Sequence, residues 1–251
     1  MVAVGAAAGL TSGLFGVGGG LVIVPMLVWL GMTQRRAAAT SMAAIIPISA
    51  VAVLSYTFHG DVDWAAGLLM TLGFVIGAQI GTRLLHYFSE VLLRWIFVIF
   101  VSFIIVSQLI TIPAREARIE LSLLSGIAMV VCGIAVGTFA SLLGVGGGAL
   151  MVPAFISLFG ASDLIARGTS LLAMIPGSIS ATIPNARKKL VKHKYALIVG
   201  VSACVFSPLG NIIATHLTPK TNSILFASYL AFILLRSIWT ALHVPRSKKN
   251  K

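Results

Sequence analysis

Of 251 residues, 58% are hydrophobic and only 10% charged, with a mean hydropathy of +1.04. A soluble domain carries about 25% charged residues, so this composition excludes one and implies a chain embedded in a bilayer. The net charge of +12 would suit nucleic acid in a soluble protein, but the positives sit in short loops and at the tail, as in Arg187-Lys188-Lys189 and from Arg246 to Lys251. Cytoplasmic loops of membrane proteins are enriched in this way, so the charge reads as topology and nucleic acid is excluded as a partner.

Apolar segments run at 1–14, 20–31, 38–58, 64–86, 91–113, 119–143, 149–160, 164–184, 195–216 and 222–243. None has a clean polar face, and most are long enough for the roughly 20 residues a spanning helix needs. The runs 20–31 and 149–160 are too short, and each follows a glycine cluster, so both are expected to be half-helices. Connections are short, and no charged leader or cleavage site precedes the first span, so a removable signal peptide is not expected. Cys132 and Cys204 lie in apolar runs without CxxC spacing and read as small packing residues.

The chain repeats itself. Gly13-Leu-Phe-Gly16-Val-Gly-Gly-Gly20, followed by Pro25, recurs as Ser141-Leu-Leu-Gly144-Val-Gly-Gly-Gly148, followed by Pro153, at an offset of 128. One residue later in register, Thr40-Ser41 meets Thr169-Ser170, Pro47 meets Pro176, Gly81 meets Gly210 and Ser89 meets Thr218. Landmarks kept in order over so long a stretch indicate duplication. The expected organisation is a first transmembrane repeat at 1–112, a second at 119–243 and a basic cytoplasmic tail at 245–251. Ile119 maps ahead of Met1, so the first repeat is short at its start.

Loop charge bears on orientation. Arg35 and Arg36, Arg83 and Arg94, the cluster from Arg187 to Lys194, and the tail are best placed inside; 113–120, which balances Arg115 and Arg118 against Glu116 and Glu120, and 160–167, which balances Asp163 against Arg167, then face out. This favours inverted halves, with broken helices at the binding site as transporters often have. Against it, 119–143 is long enough to cross fully, and a 12-residue half-helix cannot carry the chain back.

Four glycines in five positions disfavour a helix by about 1 kcal/mol each. Broken backbone at membrane depth is tolerated only where it lines a cavity or is buried in protein. Such a break frees N–H groups that, at a helix start, form an anion-binding concavity. Gly16, Gly18, Gly19 and Gly20, with Gly144, Gly146, Gly147 and Gly148, are therefore the candidate substrate site; close helix packing is the alternative, and the better one for Gly5/Gly9/Gly13, Gly73/Gly77/Gly81 and Gly133/Gly137. Thr40, Ser41, Thr169 and Ser170 are candidates to cap the next helix or touch substrate. Gln79 and Asn211 are amides in apolar helices that either glue helices together or line a pathway. Arg236 lies within the last span and reads as snorkelling to the inner face. His59, Asp61 and Asp63 read as a solvated turn, and the remaining acids fall in loops or at span ends, which argues against a carboxylate relay. No catalytic constellation, metal site or cofactor is expected.

The doubled Gly-Val-Gly-Gly-Gly block with its trailing proline, together with the helix carrying Gly77 and Gly81, resembles the TauE/SafE family of sulfite and organosulfur anion transporters. The resemblance covers nearly the whole chain and implies a multi-pass permease of a bacterial-type cytoplasmic membrane, moving sulfite, thiosulfate, sulfoacetate or a related carboxylate. The short start before Gly9 departs from that pattern. The expectation is an all-α, polytopic transmembrane bundle of two repeats with glycine-broken half-helices. Its partners are a small anion and the lipid bilayer, with a coupling ion and a homodimer left open. The rivals are an anion channel and a membrane-embedded scaffold or assembly factor for a redox or metal complex; the latter is disfavoured by short loops and unpaired cysteines.

Overall fold

The computed structural model describes residues 1–110, 119 and 121–243. Within them the chain forms ten helices and no strand: α1 (Val2–Phe15), α2 (Gly20–Trp29), α3 (Gln34–Phe58), α4 (Trp64–Tyr87), α5 (Glu90–Ile110), α6 (Leu123–Leu143), α7 (Gly148–Phe159), α8 (Asp163–Arg187), α9 (His193–His216) and α10 (Pro219–His243). Among the described residues α3, α4, α6, α8 and α9 are long and apolar enough to span a bilayer. The loop 113–118, Glu120 and the tail lie outside the described residues, as does the side chain of Arg236.

Local chemistry sets the helix ends. Thr33 accepts from the Arg36 N–H and starts α3 four residues before its apolar run. Ser122 and Ser125 form a reciprocal capping box, so α6 begins at Leu123 rather than near 119. Asp63 accepts from the Ala66 N–H at 3.0 Å and caps α4, so it is not merely solvated.

Two parallel pairs form by backbone contact. On α1, Gly5 faces Val199 and Ser202 of α9, Gly9 faces Ala203, and Gly13 faces Ser207 and Asn211. On α4, Gly73, Gly77 and Gly81 face Val130, Ile134 and Thr138 of α6. These glycines serve close packing, where lipid gives helices no hydrophobic reason to associate and contact must supply it. Outward, Leu68, Leu72, Ile76 and Ile80 of α4 and Leu197, Val201, Val205 and Leu209 of α9 form exposed stripes at helical spacing, suited to lipid.

Helices matched by the sequence register run in opposite directions. Ile45 of α3 and Met174 of α8 both sit on Gly18 and Gly146, at one level. From there α8 begins beside the end of α3, where Thr169 meets Asp63, and ends beside the start of α3, where Thr40 meets Lys192. The loops near 31–34, 88 and 188–192 therefore share one end, tied also by Arg35 Nη2 donating to the Phe88 carbonyl at 2.7 Å. That end carries Arg35, Arg36, Arg83, Arg187, Lys188, Lys189 and Lys192. The opposite end gathers the loops at 59–63 and 160–162 and the start of α10.

The objection from the length of 119–143 falls away. Gly144 packs on Ala38, near the basic end, whereas Gly148 packs on Gly16 and Val17, and Gly16 packs on Arg167 near the other end. The break itself carries the chain part of the way back, and the 12 residues of α7 add about 18 Å.

Candidate functional site

The two glycine blocks meet at the centre of the bundle. Gly16 and Gly144 end α1 and α6 in the left-handed conformation, with φ of 69° and 74°. An L-residue there costs roughly 1–2 kcal/mol, so a side chain at the first position of either block is penalised by geometry alone. Gly20 lies on the backbone of Val145, and Gly148 on the carbonyl of Gly16. Every residue from Gly16 to Gly20 and from Gly144 to Gly148 is buried. Ile45 and Met174 close over Gly18 and Gly146; a Cβ on Gly146 would lie 2.6 Å from Met174 Cε and 2.8 Å from Ile45 Cδ1.

Within this packed centre the backbone N–H groups of Val17, Gly18, Gly19, Gly146 and Gly147 donate to no described residue. Buried backbone donors are almost always paired, because leaving one unpaired forfeits its hydration without replacement. Five such donors are split between two breaks that pack on one another, and N–H groups ahead of a helix start are the kind of group that attracts negative charge.

The hydroxyls of the Thr-Ser pairs reach partners far away in sequence. Ser41 Oγ donates to the Gly144 carbonyl at 2.7 Å, and Ser170 Oγ shares its proton between the Gly16 carbonyl at 2.9 Å and the Arg167 carbonyl of its own helix at 2.8 Å. Thr40 Oγ1 accepts from the Lys192 N–H at 3.1 Å, and Thr169 Oγ1 from the Asp63 N–H at 2.9 Å. The threonines thus brace the starts of α9 and α4, not those of their own helices.

Gln79 and Asn211 stand apart from the glycine centre. Gln79 Nε2 donates to Ser180 O at 2.8 Å and Ser180 Oγ at 2.7 Å, joining α4 to α8. It lies on a cavity of about 450 Å³ shared with Thr82, Arg83, His86, Arg187 and Lys188, at the basic end. Asn211 Nδ2 donates to Ser55 Oγ at 2.7 Å, and its buried Oδ1 has no partner among the described residues.

A charged cluster was not expected from the sequence, which placed Asp163 and Arg167 in a loop. Both lie in the first turns of α8 and are buried, at 1% and 6% exposure. Arg167 stacks its Cβ and Cγ on Gly16, donates Nη1 to the Leu14 carbonyl at 2.8 Å, and approaches Asp163 Oδ2 at 3.5 Å. With its amide oxygen toward the guanidinium, Asn222 of α10 accepts from Nη1 at 2.5 Å and Nη2 at 2.8 Å. Tyr56 donates to the Gly13 carbonyl at 2.8 Å nearby. Asp61, in the adjoining loop, has its carboxyl pushed above the ordinary range by burial, against the opposing pull of His59. The one signal in the sequence was the i, i+4 spacing of an acid and an arginine at a helix start.

An all-helical bundle with exposed apolar stripes, broken half-helices and a buried polar centre has the architecture of a multi-pass membrane protein. The chain belongs to the family described as "Sulfite exporter TauE/SafE", whose model matches residues 1–108 and 129–251. It is similar to "Probable membrane transporter protein YunE" of Bacillus subtilis, with 27% identity over 96% of this chain and 97% of that protein. A "Probable membrane transporter protein" of Haemophilus influenzae is 29% identical over 92% and 94% of the two chains, and "Probable membrane transporter protein MJ0441" of Methanocaldococcus jannaschii is 24% identical over 92% and 91%. No solved structure matches the chain.

Proposed function

We propose that this protein is a secondary transporter for a small oxyanion, sulfite or an organosulfur or carboxylate compound, in the cytoplasmic membrane. The observation that carries this reading is the set of buried N–H groups, on two glycine breaks, that have no partner among the described residues. They offer neutral donors to an anion where apolar helices leave little room for fixed charge. The family description and the antiparallel course of α3 and α8 support it further.

In this reading residues 1–112 and 119–243 are inverted repeats about an axis in the membrane plane, with the basic end cytoplasmic. The cavity lined in part by Gln79 is the inner vestibule, and its cations concentrate anions. Ile45 and Met174 cover the site and move aside as one half rocks against the other. The driving force is a coupling ion or the anion's own gradient.

The test is uptake of labelled sulfite, thiosulfate and sulfoacetate into proteoliposomes, with Gly19→Leu and Gly147→Leu alongside. Transport by the wild type and its loss in folded variants is the expected result. Normal transport by both folded variants would refute the glycine site.

A further inference from the structure

We propose that Arg167 is the cationic contact for the transported oxyanion and that Asp163 occupies the anion's place when the site is empty. This rests on the reading of the protein as an oxyanion transporter and adds to it a specific residue pair.

Among the described residues Arg167 is the single buried cation and Asp163 the single buried acid. Such a pair is poor material for stability, since its desolvation offsets most of its attraction and apolar side chains of similar volume do as well. The geometry is also loose. A carboxylate that grips a guanidinium does so through two parallel bonds at about 2.7–2.9 Å. Here one oxygen stands at 3.5 Å, and the buried Oδ1 has no partner among the described residues. The planar fork of Arg167 is thus held by the Leu14 carbonyl, by Asn222 and by a weakly placed acid. A small oxyanion in the place of Asp163 takes the Nη2 N–H in a charge-assisted bond shorter than the 3.5 Å that Asp163 reaches, with Asn222 still holding the other face of the fork.

Position supports the assignment. The stem of Arg167 lies on Gly16, the first residue of the first glycine break, and Ser170, one turn on, donates to the Gly16 carbonyl. In the matched register, Ala38 stands where Arg167 does and Gln34 where Asp163 does. Ala38 packs on Gly144 just as Arg167 packs on Gly16, so packing alone needs no arginine. The charge breaks the symmetry at one of two matched places, and it does so against the anion-binding break.

The experiment uses the full chain in proteoliposomes and in detergent, with sulfite, thiosulfate and sulfoacetate as probes. Initial-rate KM and kcat are measured, together with the thermal shift each probe induces, for wild type, Arg167→Lys, Arg167→Gln and Asp163→Asn. Removing a charge-assisted bond predicts a KM higher by about tenfold or more in Arg167→Gln, a smaller rise in Arg167→Lys, and loss of the anion-induced shift. Asp163→Asn removes the competitor, so its KM falls below wild type and its anion-induced shift grows. A purely structural Arg167 would lower the melting temperature and the amount of active protein at unchanged KM, and would leave the shift per folded molecule intact; that result overturns the proposal. So does Asp163→Asn with unchanged or raised KM, even if Arg167→Gln fails to fold. A wild type that neither carries nor binds any probe overturns both this assignment and the transporter reading, whereas normal wild-type transport with an unaltered KM in the variants overturns this assignment alone.

Discussion

Ser41 Oγ lies 2.7 Å from the Gly144 carbonyl across 103 positions of sequence, and the matched Ser170 Oγ lies 2.9 Å from the Gly16 carbonyl across 154. A helix that stops at membrane depth leaves its last carbonyls without partners, and no water is at hand to take them. Each serine meets that need for the distant break, so each glycine turn is held by a helix far from it in sequence.

Removing either hydroxyl strands a buried acceptor. Ser41→Ala and Ser170→Ala are each expected to destabilise the folded protein by about 1–3 kcal/mol. Thermal unfolding in detergent checks this, and Ser49→Ala provides the control. Ser49 donates to the Ile45 carbonyl within its own helix, where that carbonyl already has a backbone donor. A loss at Ser49 equal to that at Ser41 would refute the bracing role.

The same turns predict a hierarchy among glycines. Gly144 has φ of 74° and its Cβ position falls on the Ala38 backbone, whereas Gly60 has φ of 77° with nothing within 4 Å. Gly60→Ala should therefore cost only the left-handed strain of roughly 1–2 kcal/mol. Gly144→Ala should cost clearly more, because the backbone of α3 must also move. Melting temperatures of the two variants decide it.

Much of this architecture was legible from hydropathy and punctuation. The ten apolar runs anticipate the ten helices, and the glycine spacing of α1, α4 and α6 anticipates their close pairing, because both are local properties of a helix face. What could not be read depended on distant partners. Thr40 looks like a residue in the first turns of its own helix, and only the fold brings the Lys192 N–H to it. Asp163 and Arg167 look like loop charges because a charged first turn resembles the loop before it. The partner Asn222 lies on another helix, and no periodicity announces it.

The α4–α6 interface offers a separate test. At Gly77 a Cβ would fall on the Ile134 carbonyl, whereas at Gly126 of α6 it would meet only Leu69 Cδ1 at 3.5 Å. Gly77→Ala should destabilise by separating the two helices, while Gly126→Ala should be neutral or slightly stabilising, since alanine is the better helix former by about 1 kcal/mol. Equal effects in thermal unfolding would contradict the packing described.

Asp61 supplies a pH dependence. Burial raises its carboxyl above the ordinary range, so the folded state favours the protonated form. That contribution is fully present below the unfolded value of about 3.9 and is lost as pH rises through the folded value. Asp61→Asn, which cannot ionise, should therefore be more stable than wild type at neutral pH and lose that advantage on acidification below about pH 4. Unfolding curves between acid and neutral pH check the sign, and an advantage that grows on acidification would reject it.

The proposed role of the basic cavity as a vestibule predicts a salt-dependent rate. Arg83, Arg187 and Lys188 line the cavity together with Gln79. Their field concentrates anions at the mouth and does so over a distance set by the Debye length, about 30 Å at 0.01 M salt and 8 Å at 0.15 M. Arg187→Gln combined with Lys188→Gln should lower anion uptake from the basic end several-fold at low ionic strength, acting on kcat/KM with kcat little changed. The deficit should shrink as salt rises, because screening removes from the wild type what the substitutions removed from the variant. Both residues lie where α8 ends, away from the glycine breaks, so the anion-induced thermal shift should be preserved at high salt. Uptake rates over a salt series, with the basic end facing the labelled anion, provide the measurement. A deficit that stays constant with salt would mean that these cations hold the helix end in place and do not gather substrate.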